Sequence, residues 1–313
     1  MIAFILRRLL LSMVVMLGAA ILSFALISLA PGNAAESILS AVRVDDPRME
    51  ELTFFTEAHG LDSPVLIRLT QWACRLSRGD LGTSLRTGEP VAEEFWSRFP
   101  ATLVLATASM VLAIFLGLPL GVVSAVKQNS RLDHLSRLIA LGGVSIPNFW
   151  LGMMLILFFG VGLGWLPTFG YGGLPHLILP TITLGTGLAA ILMRLQRASM
   201  LDVLNKNYIR TARAKGLDEF MVIGKHAFKN TLIPVITIIG IQFAHLLSGV
   251  VIVEEIFAWP GIGHFLIEAI HAKDYPVIQG FVLLIALFFV LTNLFVDMIY
   301  ALCDPRVRHL GNR

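Results

Sequence analysis

The residue types that usually perform catalysis form no recognisable site in this chain. The sequence contains no G-x-x-x-x-G-K-[ST] motif, so it lacks the loop that cradles nucleotide phosphates in P-loop ATPases. It also contains no H-E-x-x-H, C-x-x-C or G-x-S-x-G motif, which argues against the common metalloprotease, dithiol and serine-hydrolase sites. Its two cysteines, Cys74 and Cys303, have no metal-ligand spacing. We therefore assign no catalytic residue and no metal ligand.

Two titratable residues fall inside apolar stretches, and each has two interpretations. His245 lies well within such a stretch, where a hydrogen-bonded core residue is favoured over a catalyst. For Asp297, a helix-packing contact is favoured over a proton or ion relay, because no partner acid or base occurs in another stretch. A secondary transporter needs such ion-coupling groups and often carries inverted repeats. A secondary transporter is therefore disfavoured as a function for this chain. A membrane enzyme is also disfavoured, because no catalytic motif is present.

One polar stretch, Tyr208–Asn230, offers binding rather than catalysis. Five basic residues oppose two acids within it: Arg210, Arg213, Lys215, Lys225 and Lys229 against Asp218 and Glu219. Its pattern predicts a helix, a break at Gly216 and a second helix. We hypothesise that it lies in the cytoplasm and takes force from a separate ATP-hydrolysing subunit. The alternative is an ordinary loop on the positive side of the membrane.

The elements around this stretch are predicted to cross a membrane. Of the 313 residues, 56% are hydrophobic and only 14% are charged, whereas soluble domains carry roughly 25% charged residues. The charges are missing in blocks of about 20 residues, the length of a transmembrane helix. The six predicted spans are Leu9–Ala30, Thr102–Val126, Leu138–Leu163, Leu174–Met193, Leu232–Val253 and Val277–Leu302. The third is predicted to break at Ser145-Ile146-Pro147-Asn148.

The first span is interpreted as an uncleaved helix, because a signal peptide has a shorter apolar region of about 7–15 residues. Short loops rich in Lys and Arg face the cytoplasm. They lie between spans two and three, between spans four and five, and after span six. Both termini are therefore predicted to be cytoplasmic. The acidic stretch between spans one and two is predicted to be a small folded insert with short amphipathic helices on the outer face.

The order of several short motifs resembles one transporter family across nearly the whole chain. The matching pieces are Leu6-Arg7-Arg8-Leu9, Pro31-Gly32, Gly60-Leu61-Asp62, Gly79-Asp80-Leu81-Gly82, Ala101-Thr102-Leu103, Arg197-Ala198-Ser199-Met200, Tyr208 through Gly216, Phe257-Ala258-Trp259-Pro260-Gly261, Asp274-Tyr275-Pro276-Val277 and Asp304-Pro305-Arg306. In this order they are similar to the inner-membrane permease subunits of bacterial ABC importers, in the dipeptide, oligopeptide, glutathione and nickel group.

The resemblance implies an all-α membrane protein with six transmembrane helices, the type I ABC importer permease fold and a small periplasmic insert. It divides the chain into 1–30, the insert 31–100, the permease core 101–302 with a cytoplasmic coupling loop 194–231, and a tail 303–313. It also implies inner-membrane localisation and no cofactor in this chain, since ATP and Mg are bound by partners. The implied partners are a second homologous permease, two ATP-binding subunits and a periplasmic binding protein, with no nucleic acid.

The resemblance also implies roles for individual residues. ABC importers generally have an E-A-A coupling motif followed by a glycine, and the matching positions here lack the glutamate. The predicted coupling residues are Thr211, Ala212, Arg213, Ala214, Lys215, Gly216, Leu217 and His226. We expect the small residues to let this helix sit deep in a partner's groove, and Arg213 and Lys215 to reach acidic or carbonyl groups there.

Two further groups are predicted on the outer side and along the path. Phe257, Trp259, Pro260 and Gly261 would form an outer-mouth segment, either as a short helix that dips back or as an aromatic anchor at the membrane surface. Pro147, Asn148, Phe149 and His245 are the predicted path-lining residues. A peptide is the first choice of substrate, and nickel or a metal chelate is the second.

Overall fold

A computed structural model describes residues 2–29, 34–42 and 49–303 of the chain, and these residues are mostly helical. The side chains of Asp297 and Cys303, and residues 304–313 of the predicted tail, lie outside this description. The N-terminal helices are α1 (Ile2–Leu29), α2 (Ala34–Val42), α3 (Met49–Ala58), α4 (Val65–Ser77) and α5 (Val91–Val126). The central helices are α6 (Arg131–Ser145), α7 (Asn148–Leu155, continued by a π-helix over Ile156–Gly162) and α8 (Gly173–Leu204).

Six helices complete the described chain. They are α9 (Asn207–Ala214), α10 (Glu219–Met221, continued by a π-helix over Val222–Phe228), α11 (Lys229–Gly249), α12 (Val251–Ile256), α13 (Ile262–Ala272) and α14 (Tyr275–Cys303). Among the described residues, five helical stretches are long and apolar enough to cross a membrane. A sixth crossing results if α6 and α7 with its π-helix form one span, although they are bent by 100° at the break. The break falls at the predicted sequence, because Pro147 disfavours a helical conformation for the residue before it.

The chain folds into two compact units. Of the described residues, the first unit contains 103–259 and 291–303, and the second contains 2–29, 34–42, 49–102 and 260–290. The long helix α5 contributes to both. Its 36 residues extend about 54 Å at 1.5 Å per residue, longer than the roughly 30 Å hydrocarbon core of a bilayer. It begins at Val91 rather than at the predicted span start, Thr102.

Small residues set the packing of the first unit. A Cβ atom added to Gly117 of α5 would lie 2.7 Å from the carbonyl oxygen of Ala189 in α8, and one on Gly121 would lie 2.7 Å from the Gln196 side chain. The two helices therefore approach closely only because these positions are glycine, as is common between membrane helices. Further along α8, the Gln196 amide donates to the Thr231 hydroxyl of α11 at 2.8 Å.

A buried carboxylate organises the second unit. Asp274 accepts hydrogen bonds from the Ser84 hydroxyl at 2.5 Å and from the backbone N–H groups of Leu85 and Arg86 at 3.1 and 3.2 Å. These three donors provide hydrogen bonds to the Asp274 carboxylate, so the buried carboxylate is not left without partners. Phe95, Phe265 and Phe281 form the apolar core of the same unit.

Candidate functional site

The polar stretch after α8 folds as two helical segments separated by a tight turn. The first, α9, ends at Ala214, and Gly216 has a φ of +76°, a conformation that L side chains rarely adopt. The next segment begins immediately afterwards, with the Asp218 carboxylate accepting a hydrogen bond from the Phe220 N–H at 3.0 Å. This contact is an N-terminal cap of a helix. The structure therefore confirms the predicted helix, break and second helix.

An apolar cluster holds this loop on the helical core of the first unit. Ile209, Ala212, Val222 and Ala227 of the loop are buried, together with Ala125 and Met200. Leu217 packs against the same cluster. Ala212 therefore packs within the chain. Its predicted role in letting the helix sit deep in a partner's groove stays a prediction.

An ion pair bridges the turn. The Arg213 guanidinium donates to both carboxylate oxygens of Glu219, with Nε–Oε2 and Nη2–Oε1 distances of 3.1 and 2.6 Å. The hydrogen bonds to Glu219 raise the pKa of Arg213 above its usual value. Both side chains are about half exposed, so the pair contributes at most about 1 kcal/mol to stability. Its larger effect is geometric, since it fixes α9 against the start of the next segment.

The remaining predicted loop residues point outward or act locally. Thr211, Ala214, Lys215 and Gly216 are exposed. The Thr211 hydroxyl donates to the Asn207 carbonyl at 3.1 Å, and the His226 carbonyl accepts from the Asn230 amide at 2.7 Å. The loop thus presents Ala214, Lys215 and Gly216 as a small, accessible corner.

Large apolar side chains on the loop are also exposed, and the prediction omitted them as site residues. Phe220 is 85% exposed, and Tyr208 and Met221 are each nearly half exposed. Phe220 and Met221 are neighbours in the chain, and contiguous exposed apolar side chains are typical of contact surfaces. Their position within a charged stretch is the signal from which they could have been found.

The predicted outer-mouth aromatics are core residues of the first unit. Phe257 and Trp259 are each 2% exposed. The Phe257 carbonyl accepts from the Gly170 N–H at 2.8 Å, and the Trp259 ring meets Tyr171 edge-on at 4.8 Å between centroids. An aromatic anchor has to reach the membrane surface, so these burials favour internal packing over anchoring. In the second unit, Pro260 is exposed, Gly261 is buried, and the next residue, Ile262, donates its N–H to the Thr102 hydroxyl at 2.9 Å.

A cavity of about 300 Å³ brings two predicted path residues together. Asn148 at the start of α7 and His245 on α11 line it, with Gln242 one helical turn before His245. Pro147 and Phe149 are exposed and do not line it. Gln242 was missed, although its spacing of three residues from His245 places both on one helix face. The cavity offers amide and imidazole groups in otherwise apolar walls, which suits a small polar ligand.

No metal-binding arrangement accompanies these groups. In residues 2–29, 34–42 and 49–303, no three His, Cys, Asp or Glu side chains converge so that they could hold a metal ion.

Comparison with known proteins identifies the family of this chain and relatives that are similar to it over nearly its whole length. Residues 117–309 match the family described as binding-protein-dependent transport system inner membrane component. The dipeptide transport system permease protein DppB of Alkalihalophilus pseudofirmus is 44% identical, over 99% of this chain and all of that protein. The glutathione transport system permease protein GsiC of Salmonella typhimurium is 41% identical, with the same coverage.

Solved structures with a similar fold are more distant in sequence. The MetNI methionine ABC transporter in an inward-facing conformation matches with a TM-score of 0.56 at 19% identity, over 67% of this chain and 96% of that chain. An amino acid ABC transporter crystallised with histidines matches with a TM-score of 0.53 at 16% identity, over 69% and 94% of the two chains. At these identities the likeness concerns the fold alone.

Proposed function

Because the chain belongs to the family of binding-protein-dependent transport system inner membrane components, we propose that it forms half of the translocation path of an ABC importer for peptide-type substrates. The observation that carries this proposal is the identity of 41–44% to dipeptide and glutathione permeases over nearly the whole length of both chains. Nickel or a metal chelate is the alternative substrate. The path cavity, at about 300 Å³, has the size of small-ligand pockets, which span roughly 300–1,000 Å³.

The loop around Gly216 is the proposed docking site for an ATP-binding subunit. Its support is the combination of an exposed corner at Ala214 and Lys215, the exposed Phe220 ring, and a buried apolar cluster that attaches the loop to α5 and α8. A rigid attachment matters, because a loop that moved freely on the core would not pass displacement to the spans. Arg213 acts by holding the turn through Glu219.

The proposed assembly is the one that membership of this family implies. Two partner subunits bind ATP and Mg and hydrolyse ATP, a second permease forms the other half of the path, and a periplasmic binding protein delivers the substrate. Both termini are cytoplasmic, so the coupling loop faces the ATP-binding subunits. Rocking of the spans would then expose the cavity of Asn148, Gln242 and His245 to alternate sides.

The test is ATP hydrolysis by the assembled complex in lipid, with and without its binding protein and a dipeptide. Ala214 is exposed at the end of α9, so Ala214→Arg tests docking without disturbing the core, and Ala214→Ser is the matched control. We expect stimulation by the binding protein to be lost in Ala214→Arg and kept in Ala214→Ser. Equal stimulation in both variants would disprove the docking site.

The substrate is tested separately by uptake into vesicles that contain the complex and ATP. Labelled dipeptide, glutathione and Ni²⁺ are compared with the same binding protein. We expect uptake of the dipeptide or glutathione. Uptake of Ni²⁺ without either peptide would overturn the substrate proposal and leave the coupling proposal intact.

A further inference from the structure

A basic cavity of about 460 Å³ opens between α6 and α8 in the first unit. Its lining residues are His134, Arg137, Leu138, Leu141, Arg194 and Arg197. Three of the six are arginines, and none is acidic. The path cavity described above includes none of these residues, and only Arg194 and Arg197, at the α8 end of the stretch 194–231, belong to the predicted coupling loop. The helix break around Gly216 does not reach this cavity, so the cavity needs an explanation of its own.

The charges in this cavity are only partly balanced. Arg197 is paired with the buried carboxylate of Asp133. Arg137 and Arg194 are exposed, and among the described residues no carboxylate forms an ion pair with either. Two guanidinium charges therefore remain without a counter-charge. A planar guanidinium matches the oxygen atoms of a phosphate particularly well.

Apolar side chains continue from the charged end of the cavity along α6. Leu138 and Leu141 are 66% and 58% exposed. Arg137 and Leu141 are four residues apart, so they share a helix face. A free inorganic anion would satisfy the arginines and leave both leucines uncovered, whereas a molecule with a phosphate and a hydrocarbon chain fits both parts.

We propose that this cavity binds an anionic phospholipid, with the headgroup phosphate at Arg137 and Arg194 and the acyl chains along Leu138 and Leu141. Basic pockets between membrane helices on the cytoplasmic side bind such headgroups in other proteins. The proposal rests on the proposed function only for placing these helix ends at the cytoplasmic surface. Lipid binding is measured independently of transport, so failure of one does not imply failure of the other.

The experiment uses the assembled complex in mild detergent, with phosphatidylglycerol as the probe and phosphatidylcholine as the neutral comparison. Bound lipid is counted by native mass spectrometry during a titration. The test variant is Arg137→Gln with Arg194→Gln. The matched control is Lys127→Gln with Arg131→Gln, which removes the same charge from exposed residues outside the cavity. Each basic side chain contributes about a factor of five, so we expect roughly 25-fold weaker binding in the test variant and wild-type binding in the control.

Each other outcome contradicts the proposal in a distinct way. Equal loss in both variants would mean general surface attraction rather than a site. Competition by inorganic phosphate as strong as by the lipid would identify a free-anion site. A test variant that no longer assembles with the other subunits would identify an interface with an acidic partner surface. Arg137→Lys with Arg194→Lys keeps both positive charges. If this variant retains most of the lipid binding, the loss in the glutamine variant comes from the missing charges and not from misfolding.

Discussion

The guanidinium of Arg197 donates two hydrogen bonds to the carboxylate of Asp133, with Nε–Oδ1 and Nη2–Oδ2 distances of 2.7 and 2.9 Å. The carboxylate is fully buried and also accepts from the Ser124 hydroxyl at 2.6 Å and the Asn129 N–H at 3.0 Å. These contacts join the end of α5, the following turn, α6 and α8. One buried side chain therefore holds together the elements next to the basic cavity.

Loss of Arg197 should destabilise the subunit severely. In Arg197→Met the Asp133 carboxylate stays buried without its counter-charge, an arrangement that costs about 3–5 kcal/mol. Arg131→Met removes an exposed charge at the start of α6, and we expect it to change stability by less than about 0.5 kcal/mol. Thermal unfolding of the purified complex distinguishes the two. If both variants unfold at the same temperature, the ion pair between Arg197 and Asp133 does not stabilise the contact between α6 and α8.

The close contact between α5 and α8 gives a second prediction. Gly117→Ala would place a Cβ atom 2.7 Å from the Ala189 carbonyl oxygen, whereas a Cβ atom on Gly142 would meet nothing within 4 Å. Overpacking typically costs about 1–3 kcal/mol, while Gly→Ala in an open helical position stabilises by about 0.4–1 kcal/mol. We expect Gly117→Ala to lower the unfolding temperature and Gly142→Ala to keep or raise it. The reverse order would contradict the helix contact.

The turn at Gly216 gives a third prediction. Nothing lies within 4 Å of a Cβ atom added there, so substitutions act through the φ of +76° rather than through crowding within the subunit. Asn tolerates this left-handed conformation better than a β-branched residue does. We expect Gly216→Asn to retain most of the ATPase stimulation and Gly216→Val to lose it. Equal activity of the two variants would mean that the backbone turn is not needed for coupling.

The sequence predicts the fold well because lipid leaves few alternatives. Long apolar runs must form helices to satisfy their backbone hydrogen bonds, and the all-helical permease fold and the family are both confirmed. Helix ends are harder to predict. Hydropathy places the second span at Thr102, but α5 starts at Val91, because a helix can leave the membrane and continue in water without a break.

Within the coupling loop, the sequence predicts the turn and misses the contacts across it. A glycine in a polar stretch signals the break at Gly216. The pairing of Arg213 with Glu219 and the burial of Ala212 depend on the direction in which the chain leaves that turn. The number of charges and the sizes of the residues do not reveal the direction in which the chain leaves the turn. Gln242, in contrast, could have been added from its spacing to His245.

The path cavity gives the last prediction. Gln242 lines it together with Asn148 and His245, and a hydrogen-bonding side chain there would recognise the polar groups of a passing peptide. Gln242→Leu keeps the approximate size and removes the amide, so a peptide in the cavity would lose a hydrogen bond worth about 0.5–1.5 kcal/mol. We expect initial uptake of labelled dipeptide at limiting substrate to fall roughly two- to twelvefold, with ATPase stimulation by the binding protein retained. Gln128→Leu, at an exposed position outside the cavity, is the control. Unchanged uptake in Gln242→Leu would remove this cavity from the path, and lost stimulation would place Gln242 in coupling instead.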